Sequence, residues 1–203
     1  MTFVIGLGGR AGAGKDTLAA TLRDEYGFEV WGMSDALQDA MLALDPIIYI
    51  DENDVPTRFR TFLEKDCKGD LTRAKRNPEV RRLLQVLATD VVRDIVDKNA
   101  WVRIMGRKLI NRLKQDALQG VESRIIVTGI RFENELQMIH ALRGRSIFVA
   151  RDYTDLAEAN ARHVSDNSLS ERDFDYTVTN NGSLRELRDN ALKVAKAIGV
   201  WSL

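Results

Sequence analysis

Gly9-Arg10-Ala11-Gly12-Ala13-Gly14-Lys15-Asp16-Thr17 decides the fold. The stretch follows the phosphate-loop spacing G-x-x-x-x-G-K-[ST], except that Asp16 fills the usual Ser/Thr slot and Thr17 comes next. Phe3-Val4-Ile5-Gly6-Leu7 ahead of it reads as a buried strand, while Leu18, Ala19, Leu22 and Tyr26 behind it fall on one helical face. That context is what the chemistry requires. Glycines let the backbone curl so that its N–H groups point inward, and the new helix turns its positive end toward the phosphates. Lys15 then reaches the terminal phosphates as a point charge. Arg10, Ala11, Gly12, Ala13, Gly14, Lys15, Asp16 and Thr17 are therefore the expected triphosphate site. A turn that only joined strand to helix would have no use for Lys15 at this spacing.

Working outward, 203 residues suffice for one α/β domain with a real core. Lys+Arg and Asp+Glu balance at 30 each, so overall charge argues for neither nucleic acid nor membrane as partner. Cys67 is the one cysteine, which excludes an internal disulfide and a Cys-rich zinc site; it reads as an inert residue in a polar segment. No apolar run approaches the ~20 residues that span a bilayer. The chain opens on a strand with no room for a signal peptide, so a cytoplasmic location is expected.

Apolar runs at Phe3–Leu7, Phe28–Trp31, Ile125–Ile130, Ser146–Ala150 and Tyr176–Thr179 alternate with helical patterns near 15–26, 35–44, 79–97, 100–118, 132–142 and 183–198. Asn77-Pro78-Glu79 supplies a cap and a first-turn proline, Ser183 with Glu186 a capping box, and Gly144 a helix stop. The alternation predicts a three-layer α/β fold: a five-stranded parallel sheet with helices on both faces. In the helix near 79–97, Val80, Leu83, Leu84, Leu87, Val91 and Ile95 trace an apolar stripe expected to pack on the core. Beside it Gln85, Thr89 and Arg93 form a polar line. Two segments break the rhythm, Asp45 to about Asn77 and Arg151 to Asp175. Long connections of this kind are often functional; a substrate-binding insertion at about 45–98 and a lid at about 151–175 are expected within a single domain.

No N/T-K-x-D guanine motif is present, and the strand Arg124-Ile125-Ile126-Val127-Thr128 ends at Gly129 rather than at a metal-organising Asp. Small-molecule kinases tolerate this, because the acceptor brings its own nucleophile. Further pieces follow in order: Ser34-Asp35-Ala36-Leu37, Leu44-Asp45-Pro46, Arg82-Leu83-Leu84-Gln85, Thr89-Asp90-Val91-Val92-Arg93, Asn99-Ala100-Trp101-Val102, Arg131-Phe132-Glu133-Asn134-Glu135 and His163-Val164-Ser165-Asp166. With the G-x-x-x-x-G-K-D-T loop, this series resembles the bacteriophage deoxynucleoside monophosphate kinases, within the nucleoside monophosphate kinase fold, over nearly the whole chain. The sequence departs from that family at Gly129, where an Asp is usual, and at Gln38, where a Lys is.

The resemblance implies transfer of the ATP γ-phosphoryl group, with Mg²⁺, to the 5′-phosphate of a deoxynucleotide. Lys15, Asp16 and Arg131 are then the catalytic candidates. Arg131 lies beyond the third strand, where ligands of open α/β sheets sit, and its planar fork can bridge two phosphates or pair with Glu133 or Glu135. Asp16 either contacts Mg²⁺, directly or through water, or simply favours the helix start. Asp35 carries the same two readings. Arg151 is placed to cover the phosphates or stack on adenine, with Asn181 and Gly182 beside the base; Arg162 and His163 are lid candidates. Asp35, Gln85, Thr89, Arg93, Trp101 and Arg131 form the expected acceptor side. The cluster Arg58, Arg60, Lys65, Lys68, Arg73, Lys75, Arg76, Arg81 and Arg82 is diluted by acids and has no interleaved aromatics, so it reads as a mononucleotide-binding insertion rather than a nucleic-acid surface. The partners expected are ATP and a deoxynucleotide, without nucleic acid or membrane, and a homodimer is allowed. Rival readings are another small-metabolite kinase, such as a dephospho-coenzyme A kinase, or a nucleic-acid-stimulated ATPase or nucleotide switch.

Overall fold

Strand β1 (Thr2–Gly8) sorts the sheet into two faces, because alternate side chains along a strand point to opposite sides. Ile5 and Leu7 are buried with Leu18, Ala19, Leu22 and Tyr26 of helix α1 (Lys15–Tyr26) and with Leu187, Ala191, Val194 and Ala195 of the final helix, Leu184–Ala197. On the other side, a Cβ at Gly6 would press on Ile139 and one at Gly8 would overlap the Phe174 ring. Helices on one face and a helix and an aromatic on the other thus leave β1 no solvent face. The computed structural model describes residues 2–152 and 168–200.

The chain forms two compact units: one comprises the residues up to Met33 and from Gly106 on, the other Ser34–Met105. In the first, β2 (Glu29–Gly32), β5 (Ser123–Ile130), β1, β6 (Arg145–Ala150) and β7 (Tyr176–Thr179) lie in the order 2-5-1-6-7. Every pairing is parallel, with Ile5 opposite Ile126, Leu7 opposite Ile147 and Val149 opposite Val178. All strand C-termini therefore emerge at one edge, and the phosphate-loop segment leaves β1 at the centre of that edge, between the ends of β5 and β6. Arg112, in the first-unit part of the helix Ala100–Gln119, clasps Glu29 with both terminal nitrogens and bonds Asp116 at 2.8 Å. Among the described residues no helix is long and apolar enough to cross a membrane.

In the second unit the segment Asp45–Asn77, which breaks the strand–helix rhythm of the sequence, helps to build a separate core. Helix α2 (Asp35–Leu44), the hairpin β3–β4 (Ile47–Ile50, Pro56–Arg58), helical turns at Phe59–Asp66 and Leu71–Ala74, and helix α3 (Pro78–Gln85) enclose their own core. Leu37, Met41, Ile48, Phe59, Leu63, Cys67, Ala74, Val80 and Leu84 fill it, at about 1.5–3 kcal/mol for each large side chain. Cys67 is thus a core residue of a folded unit. Asn77 caps α3 as expected, its Oδ1 accepting from the N–H groups of Glu79 and Val80.

The expected apolar stripe holds only for its first half. Val80 and Leu84 are buried, but Val91 and Ile95 are 38% and 78% exposed. The cause is a change of winding: beyond Gln85 the chain continues as a π-helix, Val86–Val96, in which no residue is buried. Its i→i+5 bonds widen each turn beyond 3.6 residues, so positions spaced for an α-helix leave the common face.

At the opposite end of the sheet from the loop, Asp175 ties the start of β7 to β6. Its Oδ2 accepts from Ser146 N at 2.8 Å and Ser146 Oγ at 3.0 Å, with His140 Nε2 at 3.2 Å. Burial alone would raise the Asp175 carboxyl, but the Ser146 donors and His140 hold it below the usual carboxylate range. A lowered carboxyl stabilises above the unfolded value, about 3.9, and loses that contribution as pH falls through the folded one. Asp175→Ala should cost about 1–3 kcal/mol at pH 7, because the buried Ser146 groups lose their acceptor. The difference in Tm from wild type should shrink below pH ~4; an equal gap at pH 7 and pH 3 would contradict the assignment.

Candidate functional site

The phosphate-loop segment is built by the backbone first. Gly9 has φ 126, a conformation other residues rarely adopt, and a Cβ there would overlap the Val149 carbonyl oxygen on β6. The loop can therefore hug the sheet edge only with glycine at this position. A turn closes inside it, Ala13 N donating to Arg10 O at 3.2 Å. Helix α1 then begins at Lys15 with Gly14 as N-cap and no side-chain cap, so its positive end faces the loop.

Lys15 arches back over this turn. Its Nζ donates to Gly9 O at 2.8 Å and Arg10 O at 2.6 Å, which centres the ammonium on the loop. From the end of β6, Arg151 Nη1 approaches Gly12 O at 3.3 Å. Asn181 joins the same corner through a two-way clasp with Asp152: Asp152 N donates to Asn181 Oδ1 at 2.8 Å, and Asn181 Nδ2 to Asp152 Oδ2 at 2.6 Å. Gly182 follows, and Ser183 with Glu186 forms the expected capping box. Arg10, Ala11, Gly12, Asp16 and Thr17 are exposed around the loop, while Ala13 is buried beneath it. Lys15, Arg151 and Asn181 are thus brought to one corner of the sheet.

Arg131 leaves β5 at the same edge. Its backbone is set by Glu135, whose buried carboxylate accepts from Arg131 N at 2.7 Å and Phe132 N at 3.2 Å, while Ser168 Oγ donates to its carbonyl. Two residues earlier, Leu7 pairs with Thr128 and Gly8 with Ile130, so Gly129 is the extra residue of a bulge, with φ 83. The absence of a carboxylate there has a backbone reason: a left-handed bulge favours glycine.

In the Ser34–Met105 unit, Asp35 is the first residue of α2 and Gln85 the last of α3; Thr89 and Arg93 lie on the π-helix. Arg93 Nη1 donates to Lys98 O at 3.2 Å, bracing the turn after that helix. Trp101 packs on the unit's core and donates its indole N–H to Ala88 O at 3.0 Å. Arg162 and His163 lie outside the described residues. Sequence reasoning offered Glu135 as a partner for the Arg131 side chain but did not foresee that its carboxylate accepts from backbone N–H groups, and it missed the Asn180 carboxamide, which donates to Ala13 O at 2.8 Å. Their partners are fixed by folding, and only the Asn-Asn-Gly turn at 180–182 hinted at one of them.

The sequence pattern of the deoxynucleotide monophosphate kinase family matches residues 49–191. The chain belongs to that family. Two phage members are similar to it: the deoxynucleotide monophosphate kinases of Escherichia phage RB69, 29% identical over 117 residues, and Enterobacteria phage T4, 30% over 118. Those matches take in 58% and 57% of this chain, and 45% and 46% of the two phage proteins, so the match spans slightly under half of either relative. A protein of Acanthamoeba polyphaga mimivirus is 26% identical over 193 residues, covering 90% of this chain and 91% of that one.

Proposed function

We propose that this protein transfers the γ-phosphoryl group of ATP to the 5′-phosphate of a deoxynucleoside monophosphate. Family membership supports the acceptor class. The observation that carries the donor side is the Lys15 ammonium centred on a glycine-built loop at the start of α1. Two polyanions must meet in line, so the protein's task is to position them and neutralise charge. Lys15 takes the donor's terminal phosphates, and Arg131, at the same sheet edge, bridges toward the acceptor. Arg10 and Arg151 flank the loop, and Asn181–Gly182 lies beside the base.

Among the described residues no group of three His, Cys, Asp or Glu could cage a metal ion. That suits Mg²⁺, which typically takes one or two carboxylates, phosphate oxygens and several waters. Asp16, exposed in the first turn of α1, is the carboxylate that would hold it, directly or through water. Bound there, Mg²⁺ would neutralise charge on the phosphate oxygens. On the acceptor side, Asp35, Gln85, Thr89, Arg93 and Trp101 are the proposed contacts, Gln85 reading a base edge and Arg93 the phosphate.

Incubation with ATP, Mg²⁺ and a panel of dNMPs, NMPs and dephospho-coenzyme A tests this reading. Diphosphate formation from at least one dNMP, faster than from its ribonucleotide, is expected. Transfer only to dephospho-coenzyme A, or ATP hydrolysis stimulated by DNA without transfer, would overturn it. Arg93→Ala should raise KM for the dNMP about tenfold or more and lower kcat, sparing ATP affinity, because a charge-assisted pair is lost. Gln85→Ala should chiefly alter base preference. Wild-type acceptor kinetics in both variants across all four bases would place the acceptor elsewhere.

A further inference from the structure

Two carbonyls in the second half of the loop are held from outside it: Gly12 O by Arg151 and Ala13 O by Asn180. Asn180 is the better anchored of the two. It is 8% exposed, and its own N–H donates to Ala150 O at 2.7 Å, so the side chain stands on the joined ends of β6 and β7. Its carboxamide meets the loop with a donor, because only Nδ2 can bond a carbonyl oxygen. A trans peptide directs its C=O and the following N–H to opposite sides. Holding Ala13 O toward Asn180 therefore turns the Gly14 N–H away from β7, at the point where α1 begins without a side-chain cap. Gly14 fits against this post: a Cβ there would overlap Asn180 Nδ2 and lie 3.2 Å from Leu187 Cδ2.

We infer that Asn180 is a positioning residue for polyphosphate binding, fixing the Ala13–Gly14 peptide so that the Gly14 N–H is offered to a phosphate oxygen. The inference rests on the reading of this loop as the ATP site. It also explains why a polar side chain is buried at the end of β7. A side chain that merely closed the strand end would have no reason to donate into a loop that follows β1.

The test uses the full chain, with Asn180→Leu, which keeps the branched heavy-atom skeleton but has no donor, and Asn180→Asp, equal in shape. Calorimetry would give Kd for ATP and for inorganic tripolyphosphate, with Tm as the folding control. Asn180→Leu should weaken both ligands alike, by about five- to a hundredfold, since loss of one buried hydrogen bond frees the peptide to rotate. An equal loss for the base-free ligand separates phosphate positioning from damage to the base-side turn. Asn180→Asp should bind weakly at pH 8 and recover toward wild type as pH falls to 5, because the protonated carboxyl regains an O–H donor. Unchanged Kd in folded Asn180→Leu, a loss confined to ATP, or a flat pH ratio of Asn180→Asp to wild type would overturn the inference. If the variants match a wild type that binds ATP, only this inference falls; if the wild type binds no ATP, the proposed function falls with it.

Discussion

Lys15→Ala is expected to slow phosphoryl transfer by about 10²–10³-fold, the cost typical of removing one preorganised donor from a developing charge. The effect should be large because the ammonium is already held in place. Contacts of 2.8 and 2.6 Å to Gly9 O and Arg10 O centre it on the loop, so little reorganisation is needed when a phosphate arrives. Stability should change little. The two carbonyls belong to partly or fully exposed residues and can be solvated once the side chain is gone. Single-turnover kinetics with saturating ATP, alongside a Tm measurement, separate the two effects. Near-wild-type turnover in a folded variant would remove the loop from the reaction.

Gly9→Ala should act on the fold itself. The left-handed φ of 126 costs a non-glycine residue about 1–2 kcal/mol. Overlap of the new methyl with the Val149 carbonyl adds about 1–3 kcal/mol, because the obstacle is strand backbone and cannot swing aside. Together these should lower Tm by roughly 5–15 °C for a chain of this size. ATP affinity should fall in parallel, since relief of the clash must move the loop off β6. A Tm within about 2 °C of wild type, with ATP binding intact, would show that the loop does not lean on Val149.

The parallel sheet was legible because its signals are local: apolar runs, glycine spacing and capping residues lie within a few positions of one another. Ser183 with Glu186 and Asn77 before Pro78 behave as their chemistry predicts. Gly144 was expected to end its helix through backbone freedom, yet the left-handed residue is Arg143, with φ 57. Gly144 is glycine for lack of space, since a Cβ would sit 2.7 Å from Val4 O. The core of Ser34–Met105 was hidden because Ile48, Phe59, Leu63, Cys67 and Ala74 come from short elements with no shared period. The π-helix was hidden for a related reason, as Val91 and Ile95 carry a perfect α-helical spacing that the chain does not follow. In the phosphate-loop region, the described groups named from its motif lie on the loop, in the first turn of α1 or beyond a strand end. What escaped were the contacts that Glu135 and Asn180 make, because their partners are backbone groups rather than motif side chains.

The bond from Asn180 to Ala13 spans 167 positions of chain. Contacts between such distant residues close late, because the intervening chain must first be ordered. During synthesis the glycine loop leaves the ribosome well before β7, which brings the outer wall that holds it. The nascent protein should therefore acquire nucleotide affinity abruptly, once β7 has emerged, and chains stalled before residue 180 should fail to be retained on immobilised ATP. Nucleotide capture would in that way report on completed folding rather than on the presence of the motif.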